Sequence, residues 1–447
     1  MERSTFFQHT SDTARGGRQA GQALARGPVS CQPRGAMQSA LRATNALLRK
    51  GGLAIALAVA AVLLLAVRPA ASLAQGTPTE IRIGGTISMS GPMQPIVRPF
   101  QKLAETWADR INAKGGIYLK QYGKSLPVHF IYYDDKSDPT VALSLYERLA
   151  TVDKVDLFIG PFSSGLNNAA VQAALTHKIP YFVPEGNDAV IYNTPNPWRT
   201  TGLAPAEDEY DRLVQLYGRL RGVSRFAILA RDNLHEVASA KSFGEKLAKL
   251  GFTVVYQEIA PKETNDFSSL ILKMKEANPD AVMVESLPPS FSIQFAKQAR
   301  ELGLNPKEFI IGHMPVPVIK ALGDGAENVT SALYFFDGDT PDHKEFKSLC
   351  EAAGFEPWQF SESGIRYRTY RRIEDALTRA GTLDHEAVRK AMWDADFVLF
   401  GDERMKIDSR GYGTDVPYPA QVKNGKMVPQ WPLDKAVGEH VYKNGKW

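Results

Sequence analysis

Residues 155–175 read VDLFIGPFSSGLNNAAVQAAL. A short apolar run, Val155 to Ile159, enters a turn marked by Gly160, Pro161 and Gly165. A helix-like stretch, Asn168 to Leu175, leaves it. A strand, a small polar turn and a helix make the repeating unit of a parallel α/β sheet. Such a turn can cradle a phosphate, raise a catalytic serine or anchor a small ligand; it can also be only a turn.

The same rhythm runs outward in both directions. Strand-like runs stand at 81–87, 128–133, 156–160, 179–184, 225–230, 253–258, 280–286, 308–312 and 332–336, with helix-like runs between them. Short strands rich in Val, Ile, Phe and Tyr, alternating with longer amphipathic segments, predict parallel sheets covered by helices on both faces. In the first helix Phe100, Leu103, Trp107 and Ile111 recur at helical spacing, and Gly115-Gly116 ends it. Two βα blocks result, at about 79–200 and 201–334. The short extended segment Trp198–Gly202 joins them as a hinge. Long helices are expected at 342–353 and 362–380. The tail Phe397 to Pro432 has no βα rhythm and is expected to complete the earlier sheets.

Charge and composition narrow the function. The 447 residues carry a formal charge of +4, but residues 1–74 hold nine Lys/Arg and two acids. The remaining 44 basic and 47 acidic residues make the body mildly acidic. It lacks the clustered basic face of a nucleic-acid binder, and none is expected as a partner. Leu53 to Val67 is an unbroken apolar run after Arg49-Lys50, short of the about 20 residues of a membrane span. Ser72 and Ala74 then fit a signal-peptidase site, with cleavage before Gln75 and a mature chain outside the membrane; the alternative is an uncleaved anchor. Met37 would start a signal peptide of ordinary length. Of two cysteines, Cys31 precedes the cleavage point, so Cys350 stands alone and reads as buried packing. About 370 mature residues exceed one ordinary core, and two domains are expected.

Spacing removes most catalytic readings of the Gly160 turn. It lacks the lysine of a phosphate loop and the G-x-S-x-G of a nucleophile elbow. Gly123-Lys124-Ser125 precedes a strand and reads as a hairpin turn. The first βα turn, Ser88 to Pro92, does not match a dinucleotide fingerprint. The seven histidines after residue 74 are scattered, with no HExxH, so no metal or cofactor is expected. Asp138-Pro139 reads as a helix cap. Arg366 to Arg372 (RYRTYRR) reads as a solvated helix face with tyrosines inward, or as a basic patch for a partner. What survives is ligand binding by turns at the carboxyl ends of strands. There, helix N-termini present N–H groups suited to a carboxylate, and Ser164 can add a hydroxyl. The next strand ends in Pro184-Glu185-Gly186-Asn187-Asp188, again small and polar.

Five segments in order carry a resemblance: Ile81–Gly84 through Ser90-Gly91-Pro92, Ile111–Ile117, Tyr133-Asp134-Asp135 with Asp138-Pro139, Ile159–Ser164, and Asp266-Phe267-Ser268. Together they resemble the type I periplasmic solute-binding proteins of the branched-chain amino-acid (Leu/Ile/Val-binding) group, over about 80–432. The resemblance implies two doubly wound Rossmann-like lobes joined by three crossover strands. Lobe one would span 79–200 plus 335–395, and lobe two 201–334 plus 396–434. It further implies a periplasmic receptor, not an enzyme, that closes on a small molecule and delivers it to an inner-membrane ABC permease. On this resemblance Ser164 donates to the ligand carboxylate beside Ser163 and Ser90. Glu185 offers its backbone carbonyl to an ammonium, and Asn187 makes contact beside Gly186. The second lobe departs from the pattern. Asp232–Glu236, Ser286–Pro289 and His313–Pro315 stand where aromatic residues and an acid are expected. His235, Ser286 and His313 become the candidate contacts there, with Glu285 as a displaced ammonium partner, and the ligand need not be a branched-chain amino acid. Two other classes stand beside this one: a periplasmic sensor feeding a signalling system, and a secreted α/β enzyme.

Overall fold

The computed structural model describes residues 77–445 apart from 336, 402, 433, 435 and 437. The expected signal segment and its cleavage site lie outside the described residues.

The chain lays down strands β1 (Ile81–Ile87), β2 (Ile117–Leu119), β3 (Lys124–Leu126), β4 (Val128–Asp134), β5 (Leu157–Ile159), β6 (Tyr181–Val183) and β7 (Arg199–Thr201). Five of these form a sheet in the order β4-β1-β5-β6-β7, all parallel. β2 and β3 make a separate hairpin around Gly123, as the spacing predicts. The strands β8 (Arg225–Arg231), β9 (Thr253–Ala260), β10 (Ala281–Glu285), β11 (Glu308–Ile311) and β12 (Thr330–Leu333) repeat the plan as β9-β8-β10-β11-β12. In both sheets the first strand lies between the second and third, so the crossover direction reverses beside it. The hairpin β13 (Asp396–Leu399) and β14 (Glu403–Lys406) pairs only with itself. β15 (Tyr418–Lys423) and β16 (Lys426–Pro429) add antiparallel to β12, so this part of the tail completes the second sheet.

Helices cover both faces of each sheet because its central strands are apolar and buried on both sides. In the first lobe α1 (Phe100–Ala113) turns Leu103, Trp107 and Ile111 onto Ile81, Ile83 and Leu157. The far side holds Tyr146, Phe158, Ala170 and Tyr181. α2 (Ser164–His177) carries Ala170, Val171 and Ala174 into that second layer. The second sheet is sandwiched by Phe267, Phe291 and Phe295 on one side and by Tyr217, Phe243 and Leu247 on the other. Phe243 and Leu247 belong to α3 (Leu234–Lys249).

The chain crosses between lobes three times: from β7 to β8, from β12 to the helix Pro341–Ala352, and from β14 to β15. The first and third crossings are tied together. Ala204 donates its N–H to Asp415 (2.9 Å) and Gly413 donates to Leu203 (2.9 Å). The expected lobe boundary at residue 396 is corrected by packing. Leu399 and Phe400 insert into the first-lobe core, where Phe400 lies 5.7 Å from Phe335, so the β13–β14 hairpin belongs there.

The arginine-rich helix α4 (Ser363–Ala380) corrects the solvated-face reading. Arg366, Arg368 and Arg372 are buried, with Tyr367 and Tyr370. Arg368 holds Glu403 with two bonds (3.0 and 2.6 Å) and donates to the Tyr334 carbonyl. Arg372 reaches Thr200 at 2.5 Å. For Arg368 an acid and a carbonyl on the crossings supply the partners that a buried guanidinium requires.

Candidate functional site

The carboxyl ends of both sheets face one small cavity of about 30 Å³. It is lined on one side by Phe162, Ser163, Ser164, Glu185 and Asn187, and on the other by His235, Leu287 and His313. Leu203, Tyr334, Glu362 and Ile365 close it at the crossings.

The turn after β5 is built for this place. Gly160 has no room for a Cβ, which would strike the Asn167 carboxamide. Asn167 in turn donates to the carbonyls of Pro161 (2.8 Å), Ser163 (2.8 Å) and Glu185 (3.0 Å), locking two strand ends together. Ser163 sits at φ +81°, a left-handed conformation rare for serine, and its hydroxyl caps α2 by accepting from the Leu166 N–H. The result aims the first turn of α2 at the cavity, where helical N–H groups have no intrahelical acceptor. Ser164 Oγ accepts from the N–H of Asn187 (3.3 Å) and of Asp188 (3.2 Å). Both lone pairs are then engaged, and its O–H is left to donate.

Charge on this wall is compensated. Glu185 accepts one hydrogen bond from Arg366 Nε (2.8 Å) and makes an ion-pair contact with its Nη2 (2.7 Å), and Arg366 also donates to the Gly160 carbonyl (3.0 Å) over the Phe100 ring. Burial pushes the Glu185 carboxyl up to about 8, against the pull of the Arg366 guanidinium. The guanidinium is held above its ordinary value, where Glu185 outweighs burial. The Glu185 carbonyl, given by resemblance to an ammonium, accepts from Asn167.

The facing wall is different. Gly312 leaves space that lets the Glu285 carboxylate lie across the strand end; a Cβ would strike both Glu285 and the Tyr210 hydroxyl. Tyr210 and Ser239 (3.2 Å) donate to Glu285. His313 Nε2 lies 3.5 Å from Glu285 and its Nδ1 3.5 Å from Glu362. Burial works against charge on His313, yet Glu285, Glu362 and Glu209 carry it well above the ordinary histidine value. His313 in turn outweighs burial at Glu285 and holds that carboxyl below its usual range. His235 behaves oppositely: burial pulls it down to about 4, with Glu285 opposing. Its Nδ1 lies 3.0 Å from Asn187 Oδ1, a bond that joins the two lobes across the cavity. Glu209 and Glu236 are each pushed up to about 7 by burial.

Six of the nine expected positions therefore line the cavity: Ser163, Ser164, Glu185, Asn187, His235 and His313. Three do not. Ser90 is exposed and bonded to Asp134 (2.7 Å), which draws it away from the cleft. Gly186 packs on Asn167 and accepts from the Tyr192 hydroxyl (2.9 Å). Ser286 turns back on the Pro288 carbonyl (3.2 Å). Sequence reading missed Glu362 and Arg366, whose signal was the excess of charge in a helix otherwise full of tyrosine. It also missed Tyr334 and Leu203, which lie on crossings and carry no local pattern.

Among the described residues, no helix is long and apolar enough to cross a membrane. Residues 80–426 match the family model described as periplasmic binding protein. The chain is 27% identical over 402 residues to Leu/Ile/Val-binding protein homolog 7 of Brucella melitensis, covering 84% of this chain and 98% of that one. In fold it resembles a leucine-binding protein from Thermotoga maritima (TM-score 0.68, 18% identity, covering 78% of this chain and 97% of the other). It equally resembles an R. palustris solute-binding protein in complex with 4-hydroxybenzoate (TM-score 0.68, 20% identity, covering 81% and 98%). With two doubly wound lobes joined by three crossings around one cavity, this chain belongs to the periplasmic binding protein family of ABC-type transporters, whose members bind small ligands and do not transform them.

Proposed function

We propose that the protein is the receptor of an ABC importer that captures a small carboxylate-bearing solute, an amino acid or another organic or aromatic acid, between its lobes. The observation that carries this reading is the Ser164 hydroxyl. It accepts from two backbone N–H groups, lines the cavity and has its proton left to donate, beside the first turn of α2. A carboxylate placed there gains charge-assisted hydrogen bonds and the positive end of a helix dipole. Phe162, Leu203, Leu287 and Ile365 supply apolar walls for the rest of the molecule. Among the relatives, one is a leucine-binding protein and another holds 4-hydroxybenzoate; both ligands are carboxylates. Solute bound to both walls favours the closed form by its differential affinity for it. The N-terminal segment, cleaved before Gln75, would export the chain to the periplasm, where closed receptor meets an inner-membrane permease. A thermal-shift panel of amino acids, benzoates and the matching amides tests the reading. At least one acid should raise Tm while its amide does not; equal shifts from acid and amide would contradict it.

A further inference from the structure

The second-lobe wall contains an arrangement that carboxylate capture leaves unused. His235 and His313 each expose only 6% of their surface, and the Nε2 of each has no hydrogen-bond partner. Both Nε2 atoms face the same carboxylate oxygen, Glu285 Oε1, at 3.7 and 3.5 Å, beyond hydrogen-bond length. The outer nitrogen of His235 is anchored, and that of His313 faces an acid. His235 Nδ1–H donates to Asn187 Oδ1, which leaves Nε2 with a lone pair. His313 Nδ1 stands 3.5 Å from Glu362 Oε1. Glu209 completes the group: one of its oxygens and one nitrogen of each imidazole all lie within 4.8 Å of one another. The Glu209 carboxylate is itself oriented by the Tyr334 hydroxyl and the Asn187 carboxamide (3.4 Å).

We propose that Glu209, His235 and His313 form a binding site for a divalent transition cation of the zinc class, with its remaining coordination position open to the cavity. Two imidazoles and one carboxylate are a donor set suited to Zn²⁺, Co²⁺ or Ni²⁺. The His235 ring has an outer partner that fixes it, and the carboxylate has two, as metal ligands usually do. Ligand bonds of about 2.0–2.1 Å place tetrahedral donors about 3.3 Å apart. The three side chains need therefore draw together by roughly an ångström. Glu285, buried and facing the Nε2 atoms of both rings, adds the negative charge that a dication would offset. His235 and His313 line the cavity together with Ser164 and Glu362. A solute oxygen could bind there as the fourth ligand, but the site itself does not require an acidic solute.

The test is titration of chelator-treated protein with ZnCl₂ by calorimetry, without organic solute. One equivalent should bind, and His235→Gln and His313→Gln should each weaken it at least 100-fold. His129→Gln, at an exposed histidine on β4, should leave it unchanged. Glu209→Gln, which keeps the size of the side chain, serves as a further variant if a histidine variant fails to fold, with a similar loss expected. CoCl₂ should give the visible absorption of a tetrahedral centre, absent from the His235→Gln/His313→Gln double variant. No binding, or one equivalent persisting in that double variant, would overturn the proposal. Because no acid is present, either result leaves the acid–amide comparison to be decided separately.

Discussion

The two walls of the cleft are built on the same strand order and end their strands in different chemistry. On the first wall the turns offer hydroxyl and backbone N–H donors, and the acid that lines the cavity there, Glu185, is paired with Arg366. On the second, Glu285 lies under two imidazoles, with Glu209 and Glu362 at the crossings. The repeated β9-β8-β10-β11-β12 and β4-β1-β5-β6-β7 orders bring strand ends to the cavity; they do not decide what the ends carry. Specificity in such a fold resides in the few residues after each strand. The first wall suits an anion, and the second suits a cation, a proton or a ligand group that donates.

Removing Arg366 tests the first half of that contrast most severely. Arg366→Met leaves Glu185 buried without its partner and should cost about 3–5 kcal/mol in urea unfolding. A cost below about 1 kcal/mol would mean that the wall's charge is not held by this pair. Ser164→Ala is next. It removes the acceptor of two buried N–H groups, and about 1–3 kcal/mol of stability should go with it. Affinity for an acid should fall by roughly 10- to 100-fold, the size of one charge-assisted hydrogen bond. Asn187→Ala should cost about 1 kcal/mol and cut the His235 bond between the walls. Small-angle scattering should then give a larger radius of gyration for the variant than for the parent protein at the same ligand concentration. Equal radii would mean that the two walls are held together elsewhere. The smallest effect concerns Cys350, packed in the first-lobe core far from this contrast. Burial pushes its thiol well above the ordinary range. Native protein should therefore resist alkylation by iodoacetamide at pH 8, and react only when unfolded.

How much of this was legible in the sequence follows from where each feature gets its partners. The βα rhythm is local, so both sheets could be read from runs such as RFAILA and DLFIG with their glycine turns. The serines after β5 were legible for the same reason, since a strand, a small turn and a helix declare themselves within about 20 residues. Asp138 with Pro139 was equally local: its side chain accepts from Thr140 and Val141 at the start of a helix. Arg366 was not legible, because its partner Glu185 lies 181 residues away and a charged helix in isolation reads as solvated. Ser90 was misread for the converse reason. It follows β1 as a ligand-binding serine would, but Asp134 at the end of the neighbouring strand takes its hydroxyl. The β13–β14 hairpin was placed with the wrong lobe because two apolar residues, Leu399 and Phe400, decide where it packs, and nothing nearby in the chain marks their neighbours.

The central claim is that a solute carboxylate rests on the first wall. The most direct measurement is a crystal structure of the protein with whichever acid gives the largest thermal shift. The account predicts a carboxylate oxygen within hydrogen-bond distance of Ser164 Oγ, with the apolar part of the solute against Phe162 and Leu287. A solute bound with its carboxylate on His235 and His313, and nothing polar at Ser164, would contradict it.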